Sequence, residues 1–265
     1  MFKQTRPPLR YNQGMQASTA ARLLSLNRQF YQTFGQAFTE TRRRIQPGVR
    51  RVLDIIPASG RWLDLGCGPG ALAVEWARQK RQGEYLGVDF SAQLLQEARQ
   101  AVRGMAVPGL QIHFLPADLS IPGWEKAAPG QPFDGVLAFA VLHHLPGAGL
   151  RRQVLRQVHE LLGPEGWFIH SEWQFQYSAR LMARRLPWDR IGLQNEDLEE
   201  GDTLLDWRRA LPGQVEQAGL RYVHLFSRPE LADLAAQSGF AVEQEFESDG
   251  EGARLGLYQV WRAVL

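Results

Sequence analysis

The residues best suited to chemistry lie in Trp62-Leu63-Asp64-Leu65-Gly66-Cys67-Gly68-Pro69-Gly70. Three alternating glycines let a backbone turn approach a ligand, with the amides of a following helix aimed at it. Asp64 stands two residues before the first glycine. A carboxylate there repels a pyrophosphate and attracts an ammonium, which disfavours nicotinamide and flavin cofactors and favours a ligand carrying an amino acid. Asp89 ends the next apolar stretch, where it can accept hydrogen bonds from ribose hydroxyls. Ala117-Asp118 follows a third, where an acid can accept from an adenine amino group.

These positions require strands that end on one edge of a sheet. Residues 61–65, 84–89, 111–115, 133–139 and 165–172 read as five strands. Helices are expected at 19–35 closed by Gly35, at 46–56 with Pro47 in its first turn, at 71–80, from an N-cap at Ser91 to 103, and at 150–162. Strands alternating with helices indicate a mostly parallel sheet covered on both faces. Residues 173–220 break the rhythm and read as an insertion rather than a separate domain. A helix at 229–237 and strands at 241–247 and 255–261 follow, the last two joined as a hairpin, so one strand must run antiparallel to the rest. The division is a basic helical extension at 1–45 and a main domain at 46–265.

The chain's 265 residues suit one large domain, and its single cysteine excludes a disulfide framework and a CxxC zinc pair. No apolar run approaches the roughly 20 residues that span a bilayer, and MFKQTRPPLR lacks the apolar stretch of a signal peptide, so a soluble cytoplasmic protein is expected. Residues 1–50 carry nine cations against Glu40 alone, whereas 189–206 carry seven acids against Arg190 alone. The basic arm suits a polyanion such as nucleic acid. Lys occurs only at 3, 80 and 126, however, so the arm equally fits a general bias toward Arg.

The DLGCGPG, GVDFS, ADLS and FAVLHHLP segments occur in that order over about 46–172 and resemble the class I S-adenosylmethionine-dependent methyltransferases. The resemblance implies a Rossmann-like, seven-stranded sheet and S-adenosyl-L-methionine as cofactor. Its cofactor set would be Asp64, Gly66, Cys67, Gly68, Gly70, Asp89, Phe90, Ala117, Asp118 and Ala138, with Cys67 packed beneath the cofactor rather than acting as a nucleophile. His143 and His144 fall where such enzymes line the acceptor pocket. Adjacent side chains diverge, so at most one of them faces it, and two His are too few for a metal site.

The flanks, Phe30-Tyr31 to Leu53 and Arg221-Tyr222-Val223-His224, resemble the tRNA methyltransferases that esterify 5-carboxymethyluridine at the wobble position. On that resemblance Arg42 orients the substrate carboxylate, His143 or His144 contacts the uridine, and Arg221, Tyr222 and His224 close the pocket. It also implies tRNA as partner and a small zinc-binding activator protein. The family's Lys-Pro-Trp-Pro is replaced here by Arg43-Arg44-Ile45-Gln46-Pro47, and its C-terminal Asn-Trp pair is missing. Two other readings stay open: a methyltransferase acting on a small metabolite, and a non-catalytic S-adenosylmethionine-binding scaffold.

Overall fold

In a computed structural model, described for residues 14–40, 44–130, 132–209 and 217–264, alternating strands and helices build a two-sided sheet. Helix α1 (Ala17–Glu40) leads into α2 (Pro47–Ile55), β1 (Ser59–Leu65), α3 (Ala71–Arg78), β2 (Gln82–Asp89), α4 (Ala92–Ala101) and β3 (Leu110–Pro116). Strand β4 (Phe133–Phe139), α5 (Ala148–Leu161) and β5 (Leu162–Trp173) follow. Next come α6 (Ala179–Met182), β6 (Arg185–Leu186), β7 (Asp202–Arg209) and β8 (Gln217–His224). The chain ends with α7 (Arg228–Gln237), β9 (Phe240–Ser248) and β10 (Gly256–Ala263).

Local chemistry sets several boundaries. The Ser91 hydroxyl caps α4 by accepting from the Leu94 N–H at 3.3 Å, and Ser227 caps α7 from Glu230 in the same way. Helix α1 is the exception, because it runs on through Gly35 rather than ending there. A capping glycine needs a left-handed backbone, and Gly35 is not among the residues with positive φ. Tertiary anchoring outweighs its weak helix propensity: Phe30 packs edge-on against Trp207, and Asn27 bonds β8.

The main sheet has the order β3-β2-β1-β4-β5-β10-β9, with β1 to β5 parallel and β10 antiparallel to both its neighbours. Period-two alternation divides its side chains: Leu63, Leu65, Val136 and Ala138 pack under one layer, while Trp62, Leu137 and Tyr85 pack under the other. The strand order reverses between β1 and β4, and at such a point an open α/β sheet leaves a crevice beyond its carboxyl edge.

The segment read as an insertion folds into a second, antiparallel sheet, β6-β7-β8, and β8 runs on to His224. The Asn27 side chain accepts from Tyr222 N–H at 2.8 Å and donates to Tyr222 C=O at 3.0 Å, joining α1 to this small sheet. Behind it, Arg151 donates to Glu199, Glu230 and the Leu145 carbonyl. His224 sits between Asp202 (2.7 Å) and Glu230 (2.9 Å). Buried polar groups thus bolt the small sheet to α5 and α7. No described helix is long and apolar enough to cross a membrane.

Candidate active site

A cavity of about 520 Å³ opens at the carboxyl edge, within the usual range for small-ligand sites. Its wall begins with the turn between β1 and α3. Gly66, Gly68 and Gly70 hold φ of 67°, 53° and 80°, all left-handed. A Cβ at Gly66 would lie 2.8 Å from Val141, and one at Gly70 would lie 3.0 Å from the Ala98 backbone. A Cβ at Gly68 would meet nothing within 4 Å, because that glycine faces the cavity. Gly70 does not line the cavity; it starts α3 and packs on α4.

Three acids sit at the ends of β1, β2 and β3 and line this end. Asp89 accepts from Gly68 N–H at 3.0 Å and from Ser91 N–H at 2.8 Å, tying the glycine turn to β2. Burial raises its pKa, against hydrogen bonds from Ser91 and Gly68. Asp64 is buried on the Trp62 face and accepts from the Tyr85 hydroxyl. Burial pushes its pKa to about 7; the Tyr85 bond works downward and the neighbouring Asp89 upward. Burial also works upward on Asp118, but bonds from Ser120 and Arg28 outweigh it and leave that pKa low. The Arg28 guanidinium, from α1, lies 2.5 Å from Asp118.

Phe90, 37% exposed, and Ala117 line the same end, with Cys67 buried beside Gly68. Burial raises the Cys67 thiol pKa well above its usual value, which suits a packing group rather than a nucleophile. Ala138 does not line the cavity. Alternation turns it into the opposite core layer, and Phe139 and Ala140 take the place expected of it.

The two histidines part company. His144 lines the cavity, with Nε2 2.9 Å from the Tyr31 hydroxyl and Nδ1 3.3 Å from the Tyr222 carbonyl. A carbonyl only accepts, so in the neutral ring Nδ1 donates and Nε2 accepts from Tyr31. His143, 2% exposed, lies behind it with Nδ1 3.0 Å from Glu172. The other Glu172 oxygen lies 3.0 Å from His170 Nδ1. Burial raises Glu172 well above the carboxylate range and lowers His170 to about 3, so neither favours its charged form.

Arg221, Tyr222 and His224 do not close the cavity. All three are buried behind it: Arg221 lies over the Trp173 ring at 4.6 Å, and Tyr222 and His224 both bond Asp202. Strand β8 faces α1 and the polar bolt, and what it presents toward the cavity is the Tyr222 carbonyl, through His144. Arg42 lies outside the described residues. Tyr31, Arg28, Glu172, Arg44 and Arg180 also line the cavity and were not expected there. Glu172 obeys the rule that found Asp64 and Asp89, an acid at a strand's carboxyl end; the others carry no local signal. Glu199, Asp202 and His224 lie close enough to hold a metal ion, but Glu199 is already paired with Arg151 and Asp202 with His224.

A family model described as a methyltransferase domain matches residues 37–245. The chain belongs to the methyltransferase domain family. Its fold, with the sheet order above, is one that solved S-adenosylmethionine-dependent methyltransferases share. A crystal structure of an S-adenosylmethionine-dependent methyltransferase from Methanosarcina mazei shares the fold, with TM-score 0.61 and 19% identity over 84% of this chain and 99% of that one. The domain is 24% identical over 181 residues to mouse "Probable tRNA methyltransferase 9B", covering 68% of this chain and 33% of that protein. It is 37% identical over 97 residues to trans-aconitate 2-methyltransferase of an Azoarcus species, covering 36% of this chain and 34% of that one. This chain thus spans about a third of the length of both relatives.

The donor end of this methyltransferase domain fits S-adenosyl-L-methionine. Asp64 is a buried carboxyl poised to gain charge beside an ammonium, Asp89 keeps acceptor capacity for hydroxyls, and Gly68 leaves open space in front of it. Arg28 shares Asp118 with any adenine amino group bound there.

Proposed function

We propose that this chain methylates a carboxylate-bearing acceptor, with 5-carboxymethyluridine in a tRNA anticodon as the acceptor. S-adenosyl-L-methionine, when bound, supplies an electrophilic methyl group on a cationic sulfur. The protein's part is to hold the acceptor against that methyl group, since positioning dominates displacements of this kind. A hydroxyl or amine acceptor would need a base. A carboxylate is already ionised at neutral pH and needs none.

One observation carries the choice. The titratable groups at the acceptor end are already engaged: His144 Nε2 by Tyr31, and the two Glu172 oxygens by His143 and His170. Such a site orients an acceptor better than it removes a proton. The matched tRNA methyltransferase supports RNA as the carrier. A small carboxylic acid is the second reading, supported by α1, whose Leu24, Asn27, Arg28 and Tyr31 wall a cavity of about 520 Å³, and by the relative named for trans-aconitate.

Radiolabelled donor, offered with bulk tRNA and with a metabolite extract, tests both readings. The tRNA arm is run with and without a zinc-binding activator of the kind the flanking resemblance implies. Label in tRNA that mild alkali removes supports the ester. Alkali-stable label, or label in neither arm, overturns the carboxylate reading. In the same assay Arg42→Ala should reduce turnover far more than His144→Ala, and the reverse order would restore general-base chemistry.

A further inference from the structure

The cavity extends past the donor end to the far side of the sheet. Because β10 runs antiparallel, its first residues lie at the carboxyl edge, where Gly256 pairs with Trp173 and Tyr258 with Ser171. The lead-in to α2 docks at the same place. Gly48 N–H donates to Asp249 at 2.9 Å, and a Cβ on Gly48 would fall 2.2 Å from the Tyr258 ring. Arg44, just before that docking point, and Arg180, on α6 just after β5, both line the cavity.

Charge separates these two from the third arginine of the cavity wall. Arg28 is neutralised by Asp118 at the donor end. Arg44 and Arg180 are exposed, and neither has an ion-pair or hydrogen-bond partner among the described residues. The acids on the wall at this end are spoken for: Asp249 accepts from Gly48 N–H and, at 2.6 Å, from the Tyr258 hydroxyl, while Glu172 lies between two histidines. Two guanidiniums without ion pairs of their own, set against the single carboxylate of Asp249 that neutral donors hold, leave this end of the cavity net positive, and their planar forks match a carboxylate.

We propose that Arg44 and Arg180 form an anion subsite at the β10 end of the cavity that seats the acceptor's carboxylate and so selects acidic acceptors. The proposal rests on the methyl-transfer reading above and adds the residues that set specificity. As the O–CH3 bond forms, the S–CH3 bond breaks with its electron pair left on sulfur. The carboxylate becomes a neutral ester, and no proton is taken up or lost. The charge the two arginines hold disappears with the reaction, so the same pair that draws the substrate in favours release of the product.

The test uses the full chain and labelled donor with two acceptor arms: tRNA bearing 5-carboxymethyluridine, and small di- and tricarboxylates led by trans-aconitate. Each compound is paired with its carboxamide. The wild type should label the carboxylates of one arm and not the carboxamides. Arg44→Gln and Arg180→Gln should each raise the acceptor KM about tenfold, with kcat changing less, and Arg180→Lys should recover part of the loss. Donor Kd by calorimetry should stay within about twofold. Carboxamides labelled as well as carboxylates, or Gln variants with wild-type KM, overturn the proposal. Gln variants that lose donor affinity instead would assign these arginines to the donor's own carboxylate and overturn it equally. A wild-type chain that binds no donor would sink the methyl-transfer reading itself, and calorimetry reports that outcome separately.

Discussion

Asp64 gives the donor site a pH dependence whose sign can be worked out. Its carboxyl is buried beside Trp62 and Tyr85, and burial lifts its pKa from an ordinary 3.8 to about 7. In the donor-free protein the raised value means that acid stabilises the fold. That contribution is full below pH 3.8 and is lost as pH rises through about 7, and the gap corresponds to about 4 kcal/mol. An ammonium beside Asp64 favours the ionised form, so donor affinity should move the opposite way. Between pH 6 and pH 7 the ionised fraction rises from about a tenth to about a half, so affinity should improve about fivefold. Above about pH 8 an α-amino group loses its own charge, which confines the test to the acid side. Calorimetry in buffers of different ionisation enthalpy should show proton release on binding at pH 6. Asp64→Asn should abolish both the slope and the release, and Tyr85→Phe, which removes a bond favouring the anion, should move the slope to higher pH. A wild-type affinity flat from pH 5.5 to 7.5 would refute the reasoning.

The same geometry sets the expected outcomes for four further variants. Asp89→Asn replaces an oxygen that accepts from Gly68 or Ser91 N–H and removes a charged acceptor for the ribose. Donor binding should weaken by about 1.5–3 kcal/mol, and equal calorimetric affinities would contradict the assignment. Gly70→Ala combines a left-handed φ with a contact on the Ala98 backbone, and should cost about 2–4 kcal/mol by denaturant titration. Gly68→Ala meets no neighbour and should cost about 1 kcal/mol of stability while still impairing donor binding; the reverse order would overturn this account of the turn. Arg151→Ala leaves Glu199 and Glu230 without their buried cation, and should lower stability by about 3–5 kcal/mol. Unchanged unfolding would show the bolt to be dispensable.

Much of the donor half was legible before any coordinates. The alternating glycines, the acids at strand ends and the change of period from helix to strand are short-range features, each dictated by backbone sterics or by a neighbour a few residues away. They located β1 to β5 and the carboxyl edge, and the same rule applied once more would have flagged Glu172 at the end of β5. Side-chain facing was less secure. Ala138 sits within the expected strand but on the wrong side of it, because one step along a strand exchanges the two faces.

The acceptor half needed the tertiary structure. Tyr31 reaches His144 across 113 residues and Asn27 reaches Tyr222 across 195, and at the donor end too Arg28 reaches Asp118 across 90. Nothing local encodes such separations. They arise only when α1 lies over β8 and the β6-β7-β8 sheet is bolted to the main body. The fate of Arg221, Tyr222 and His224 was decided the same way: by type they suit a binding pocket, but β8 is held between α1 and the Arg151 network, so all three are buried and Tyr222 and His224 bond Asp202 and Glu230 inside the protein. The sequence by itself settled that two acids and a glycine turn stand where the first two strands end, because that depends on residue type and spacing. Which side chains meet across the cavity was settled by packing, because burial allots each polar group its partners only once distant elements are in place.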